Sequence, residues 1–518
     1  MDKDWEISED CATPVEALEE HGLDAFGDTV AQLEPEQVNP EGLTELHRRL
    51  RRQALKRADR AYGLVLIWLI ASTNFDRLAA RSRRDTDPTR RVNKGLREVS
   101  VQLPSGCQVP LEVTYLLEKP RRRAGRPKDH GNRSETGSGC YPALEAMGVD
   151  SHRRLCPLIE EAIVDTGTAC DNFRTGWKMA GTFGFEMSWK AYWSRFCRLA
   201  VDVRAHHDRW LETERGEPLI EASRWHRRRV VIAADGGRTR LRRNYAGRPQ
   251  ANGWRRFDAE WREPKLMVIY AIDEHGEPVD EPEPIIDGTF GDADACFERL
   301  ERTLTALRIW EAEEVVFLGD GASWIWKRAR PMLQRLGVHE ESIREGIDYY
   351  HAAGTLCSLS QLPDWGQPAR VRWRLRAKEA LDAGDIDEVV AMIDDLADRP
   401  GAEDAADKKS YFKDNAERMQ YHRRRQANLP EGSGAIESAI RRVVNLRMKS
   451  NAKYWKEEHA EAMLTLRSHL KTGRLDRLLG WWSRRRCRWW TDTDRRRIRT
   501  SPRRRFGANS PDFTRKVA

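Results

Sequence analysis

Two aspartates stand where an apolar run gives way to glycine. Arg229-Val230-Val231-Ile232-Ala233-Ala234 leads into Asp235-Gly236-Gly237, and Val315-Val316-Phe317-Leu318-Gly319 leads into Asp320-Gly321. Runs of this kind read as buried strands, and the glycines let the chain turn sharply where the strands end. A carboxylate at the C-terminal end of a buried strand sits where open α/β sheets place their ligands. Asp-Gly is also an ordinary turn, so either pair alone says little. A third carboxylate, Glu437, falls in the first turn of a helix opened by Gly432-Ser433-Gly434, where an acidic residue also simply favours the helix dipole. As a set, the three oxygen donors suit hard divalent cations. Two such ions close together stabilise both the attacking and the leaving oxygen of a phosphoryl displacement.

Asp287-Gly288 repeats the pattern, but Glu281-Pro282-Glu283-Pro284 before it marks a loop or an edge strand, and Asp287 is set aside as a ligand.

Basic residues accompany the carboxylates. Arg441, Arg442, Arg447 and Lys449 make a basic face beside Glu437, suited to phosphates. Arg238 and Arg240 open a basic excursion after the first strand. Arg121, Arg122, Arg123 and Arg126, with Gly125 and Pro127, form a segment able to lie in a narrow minor groove; an ordinary basic linker reads the same. Near the C-terminus Trp481-Trp482, Arg484-Arg485-Arg486 and Trp489-Trp490 interleave rings with cations. That pattern can stack on bases and neutralise phosphates, or be a frayed basic tail.

The elements that must position these groups follow from periodicity. Residues 41–82 read as helices, and residues 97–117 as a hairpin around Pro104-Ser105-Gly106. Residues 140–206 read as three or four short helices broken at Gly167 and Gly181, a pattern that suits a helix-turn-helix or a helical spacer. From residue 229, strands at 229–234, 265–273 and 284–288, a helix at 297–310 and a strand at 315–318 argue for a mixed α/β sheet. Helical patterns at 371–381, 386–396 and 408–429 then lie between Asp320 and Glu437, and a final helical run spans 435–471.

The chain has 518 residues, with Lys+Arg 90 against Asp+Glu 82 and a net charge of +8, a balance that suggests a polyanionic partner. The longest apolar run, Ala61 to Ala71, is too short to cross a bilayer. Nine scattered cysteines without a Cys-x-x-Cys pair argue against a zinc finger and fit reduced thiols in a cytoplasm.

The ordered set Asp235-Gly236-Gly237, Asp320-Gly321-Ala322-Ser323-Trp324-Ile325-Trp326, Asp348-Tyr349-Tyr350-His351 and Gly432 to Lys449 resembles the DDE transposases of bacterial insertion sequences, in the Kra-type group, over roughly residues 226–472. The resemblance implies a ribonuclease-H-like mixed-sheet core with an all-helical insertion, preceded by a helix-turn-helix-like DNA-binding region. It implies Asp235, Asp320 and Glu437 as catalytic residues holding two Mg²⁺ or Mn²⁺ ions, and Asp348 and His351 as accessory residues near the DNA ends. It further implies double-stranded DNA as partner (terminal inverted repeats and target), no membrane, a homodimer or higher assembly on DNA, and a nucleoid-associated place in the bacterial cytoplasm. Read on its residues alone, His351 also fits a satisfied, partly buried histidine. A nuclease that cuts without joining and a domesticated DNA-binding regulator are the competing expectations.

The expected organisation is 1–95, an acidic segment and helices; 96–138, hairpin and basic linker; 139–225, the DNA-binding region; 226–365, the first part of the core; 366–430, the insertion; 431–472, the last part of the core; and 473–518, the basic tail.

Overall fold

The computed structural model describes residues 40–86, 91–118, 139–213, 219–248, 250, 255–451, 453–487 and 489–500. The chain divides into two compact units, one of residues 1–167, 172–196 and 480–518, the other of residues 168–171 and 197–479. The basic segment containing Arg121, Arg122, Arg123 and Arg126 lies outside the described residues.

In the first unit, helices α1 (Pro40–Ser72) and α2 (Phe75–Thr86) precede an antiparallel hairpin of β1 (Arg91–Gln102) and β2 (Gln108–Glu118). Val99, Val101, Val109, Leu111 and Val113 alternate along the hairpin and are all buried, so one face meets the core. Asp76 of α2 accepts the Thr114 amide at 2.9 Å, tying helix to strand. The short β3 (Gly139–Cys140) joins β2. Then come α3 (Pro142–Ala146), α4 (Pro157–Ala169), α5 (Phe173–Thr182) and α6 (Trp189–Thr213), the last of which continues into the second unit.

Gly167 and Gly181 lie inside α4 and α5 rather than at breaks. Gly167 is needed for packing, because a Cβ there would stand 2.3 Å from the Phe196 ring. The break between these helices is made by Asn172, whose side chain caps α5 by accepting the Thr175 amide at 2.9 Å.

The second unit is built on a five-stranded sheet of β4 (Arg229–Gly236), β7 (Lys265–Ile272), β8 (Ile285–Thr289), β9 (Glu314–Gly319) and β10 (Ile343–Ile347), with β5 (Thr239–Ala246) and β6 (Arg256–Arg262) forming a separate two-stranded hairpin. The order across the sheet is β10-β9-β4-β7-β8. β7 runs antiparallel to both β4 and β8, while β9 is parallel to β4 and β10 to β9. The sheet is therefore mixed and the protein α/β. Val230 to Ala234 and Val315 to Leu318 are at most 1% exposed, as central strands covered on both faces require. β8 is an edge strand, as its proline-rich approach predicts.

Helix α7 (Ala293–Leu307), capped by the Asp292 side chain, connects β8 to β9. The short α8 (Ser323–Trp326) and α9 (Ala329–Arg335) connect β9 to β10, and α10 (Tyr349–Leu359) follows β10. The insertion is helical throughout: α11 (Gln367–Ala383), α12 (Ile386–Ala397), α13 (Lys409–Asp414) and α14 (Tyr421–Gln426). The long third helix expected at 408–429 is broken, because Asn415 leaves the helical region at φ −116° and its side chain donates to the Tyr411 carbonyl. The chain returns to the sheet through α15 (Gly434–Ala439), which widens into a π-helical turn at Ile440–Asn445, and α16 (Glu457–Lys471) follows after a loop.

Two further helices follow, α17 (Leu475–Arg486) and α18 (Asp492–Thr500), and residues 501–518 lie outside the described residues. Trp481, Trp482 and Trp490 are buried, which corrects the expectation that these three rings stack on bases. No single helix among the described residues is long and apolar enough to cross a membrane.

Candidate active site

The parallel register of β4 and β9 brings the two strand-end aspartates together. Ala233 pairs with Leu318, so Asp235 and Asp320, each two residues further on, reach the same C-terminal edge of neighbouring strands. Ile347 of β10 pairs with Gly319, which brings Asp348 to that edge as well. Three carboxylates thus stand at the C-terminal ends of three adjacent parallel strands.

Their environments separate their roles. Asp235 is half-buried and accepts its neighbouring Gly236 amide at 2.6 Å. Burial pushes its carboxyl up to about 6. The negative charges of Asp320 and Glu263 push the same way, against the Gly236 amide and His351. Asp320 uses one oxygen to accept the Ala322 amide at 2.9 Å, closing the turn. Two carboxylates held side by side at one sheet edge are a site matched to positive charge.

Asp348 is 1% exposed. One oxygen caps α10 by accepting the His351 amide at 2.7 Å. The other accepts both the amide and the hydroxyl of Ser433. Both of its oxygens are engaged by the protein, and the second holds the Gly432-Ser433 turn that launches α15. His351 is exposed and close enough to Asp235 to favour its charged form, so it is not the partly buried histidine of the alternative expectation.

Glu437 is exposed in the first turn of α15. One turn further on, Ile440 packs against Gly237, with 3.5 Å from its methyl to the position of a Cβ there. The glutamate's helix is thereby seated beside the end of β4. Among the described residues, no three His, Cys, Asp or Glu side chains stand together in the range of a metal ion. Asp235 and Asp320 are paired, while Glu437 sits on the neighbouring helix without closing the set.

The basic residues divide. Arg238, Arg441, Arg442, Lys449 and Arg484 are exposed, and Arg240 and Arg485 partly so. Arg447, expected to face phosphate, is 1% exposed and lies 5.4 Å over the Trp455 ring, so it is a packing residue. Arg486 is likewise occupied inside the first unit, paired with Glu160 at 2.5 Å and stacked 4.1 Å over Trp482.

Asp287 is rightly set aside. It is buried and bound to Arg299 at 2.7 Å, and Arg299 also reaches Asp208 at 2.6 Å. Tyr411 is a residue the sequence did not point to. Its hydroxyl is 3.4 Å from the Asp320 carbonyl, and its ring lies 2.5 Å from where a Cβ on Gly321 would stand. Gly321 has φ +96°, so glycine is required there twice over, by backbone conformation and by space. No signal in the sequence links Tyr411 to Asp320, because the insertion alone brings them together.

No family model matches the chain and no curated protein matches it, so geometry and chemistry carry the functional reading.

Two outcomes follow from the site's electrostatics. Asp235→Asn keeps the shape and the amide contact but removes a repelled charge. The folded carboxyl titrates near 6 against 3.8 for an ordinary Asp, so its ionisation costs stability progressively as pH rises from 3.8 and in full above 6. The variant is expected to melt about 2–4 °C higher than wild type at pH 7.5 and to show little gain at pH 4. Thermal denaturation at the two pH values checks this. Asp348→Ala strips a helix cap and leaves the Ser433 amide and hydroxyl unpaired, a loss of roughly 3 kcal/mol. Denaturant titration measures that loss, and hydrogen exchange is expected to rise first around Ser433.

Proposed function

We propose that this protein is a DDE-type transposase that binds transposon ends and cuts and joins DNA strands. The observation that carries the reading is the pairing of Asp235 and Asp320 on adjacent parallel strands, with the helix of Glu437 returning to the same edge. The strand order supports a ribonuclease-H-like core: an antiparallel run β4, β7, β8, then β9 and β10 added in parallel on the far side of β4. The helical insertion between Asp320 and Glu437 supports it too.

The donor set fits divalent metal. All three candidate ligands are carboxylates, and the charge of Asp320 adds to the burial that raises the Asp235 carboxyl. Asp235, Asp320 and Glu437 would hold two Mg²⁺ or Mn²⁺ ions. Such ions acidify bound water and offset negative charge on the phosphoryl oxygens. The protein's own groups do the rest. Asp348 fixes the turn before Glu437, Tyr411 covers the Asp320 turn, and the exposed Arg441, Arg442 and Lys449 line up phosphates. No Ser or Tyr nucleophile is needed, because water frees a 3′-OH and that hydroxyl attacks the target strand. Pairing two ends calls for at least a dimer on DNA.

The test is a cleavage and strand-transfer assay on labelled DNA from the flanks of this gene, with Mg²⁺ or Mn²⁺. Metal-dependent nicking followed by joined products supports the transposase. Nicking without joining points to a nuclease, and end-specific binding without nicking to a regulator.

A further inference from the structure

The β5–β6 hairpin carries exposed rings and more positive charge than its own acidic residues offset. From Arg238 to Arg262 it holds eight arginines against Asp258 and Glu260, a net of six positive charges where the whole chain has eight. One face is used for anchoring. Thr239 and Leu241 are buried, the Thr239 hydroxyl donates to the Met448 carbonyl at 2.9 Å, and Leu241 bridges to Trp455.

The other face is a row of alternating rings and guanidinium groups. Trp261 is 49% exposed, with Arg238 5.4 Å and Arg240 5.2 Å from its ring centre. Arg240 is also 4.6 Å from the Tyr454 ring. Phe257 follows, edge-on to Tyr454 at 5.4 Å, with Arg242 5.0 Å away, and Tyr245 ends the row 45% exposed. The guanidinium groups hold the rings in place.

Ring faces set among fixed positive charges take up unpaired bases on a phosphate strand; a closed duplex offers no free base face, and a protein partner has no general need of such charge. The hairpin also springs from the same edge as the carboxylates. Leu266 pairs with Asp235, and Trp261 lies five residues before it. At ~3.3 Å per residue that is a reach of about 16 Å, or about five base-pair rises.

We propose that the β5–β6 hairpin is a stacking platform for unpaired DNA bases within about five nucleotides of the phosphate that is cut. The proposal rests on the functional reading above and adds that the DNA end is opened when it is engaged.

The experiment uses the full-length protein and two labelled DNAs from the gene's flank, one a blunt duplex and one with its last five nucleotides mismatched. 2-Aminopurine in the mismatched strand reports stacking. Wild type is expected to bind the opened end at least about tenfold more tightly than the blunt one and to quench the probe. Trp261→Ala is expected to lose that preference and the quenching while keeping blunt-duplex affinity, which also shows that the variant is folded. Trp310→Ala, at a second exposed tryptophan, is expected to match wild type. Equal affinity of wild type for the two DNAs, or a Trp261→Ala protein that still prefers and quenches the opened end, overturns the platform but leaves the transposase reading standing if metal-dependent cleavage persists. Absence of DNA binding and of cleavage overturns both.

Discussion

Replacing Asp320 by Asn is expected to lower metal-dependent strand cleavage by at least about 10³-fold while DNA affinity stays within about twofold of wild type. The substitution is nearly isosteric. The side-chain oxygen that accepts the Ala322 amide is retained, so the turn after β9 keeps its shape. What disappears is one of two adjacent negative charges, and with it the match to a divalent cation. The groups proposed to hold DNA (Arg441, Arg442 and Lys449) are exposed side chains on other elements and are untouched. Cleavage rate and equilibrium binding, measured on the same labelled end, separate the two effects. Cleavage within tenfold of wild type would mean that Asp320 is no metal ligand, and the chemistry would have to be sought elsewhere on this sheet edge.

The largest loss of stability is expected for Arg299→Met, roughly 3–5 kcal/mol. Arg299 is 8% exposed and bonds Asp287 at 2.7 Å and Asp208 at 2.6 Å, with His207 at 3.1 Å from its third nitrogen. Burial alone would push the Asp287 carboxyl up, but the Arg299 guanidinium beside it, with His207 and Arg204, holds it below the ordinary 3.8. Asp208 is held down too: burial opposes its charge, while the neighbouring His207, Arg299 and Arg204 outweigh it. Removing the arginine strands the buried Asp287 anion, while Asp208 is partly exposed and keeps Arg204 at 2.7 Å.

The pH dependence has a definite sign. In wild type these depressed carboxyls contribute stability above about pH 4 and lose it as pH falls through their folded values. In the variant the uncompensated Asp287 gains from a proton, so the deficit shrinks as pH falls from 7 toward 5. Denaturant midpoints at pH 7 and pH 5 measure it. A second change, Asp287→Asn, on top of Arg299→Met is expected to restore part of the loss, because it removes the charge left unpaired. A constant deficit at both pH values would mean that lost packing, not lost charge, dominates.

The strands that carry the candidate ligands were legible because burial on both faces demands an unbroken apolar run. Val230–Ala234 and Val315–Leu318 announce themselves in this way, and the glycines after Asp235 and Asp320 mark the turns. The helical character of the insertion and the edge position of β8 were readable for similarly local reasons, namely apolar spacing and proline. The β5–β6 hairpin was not. Arginines fall on both of its faces (Arg242 and Arg243 are consecutive), and this masks the alternation that marks a half-buried strand.

Tertiary structure alone decided the rest. Only the parallel register sets Asp235 beside Asp320, because pairing between strands 85 residues apart leaves no local trace. Only packing decides that Asp348 spends its carboxylate on Ser433, that Tyr411 from the insertion covers Gly321, and that Arg447, Trp481, Trp482 and Trp490 are buried rather than offered to DNA. An arginine or tryptophan in a sequence has the same chemistry wherever it falls. Whether it meets solvent or a ring 5 Å away depends on contacts between distant segments, and those exist only once the chain is folded.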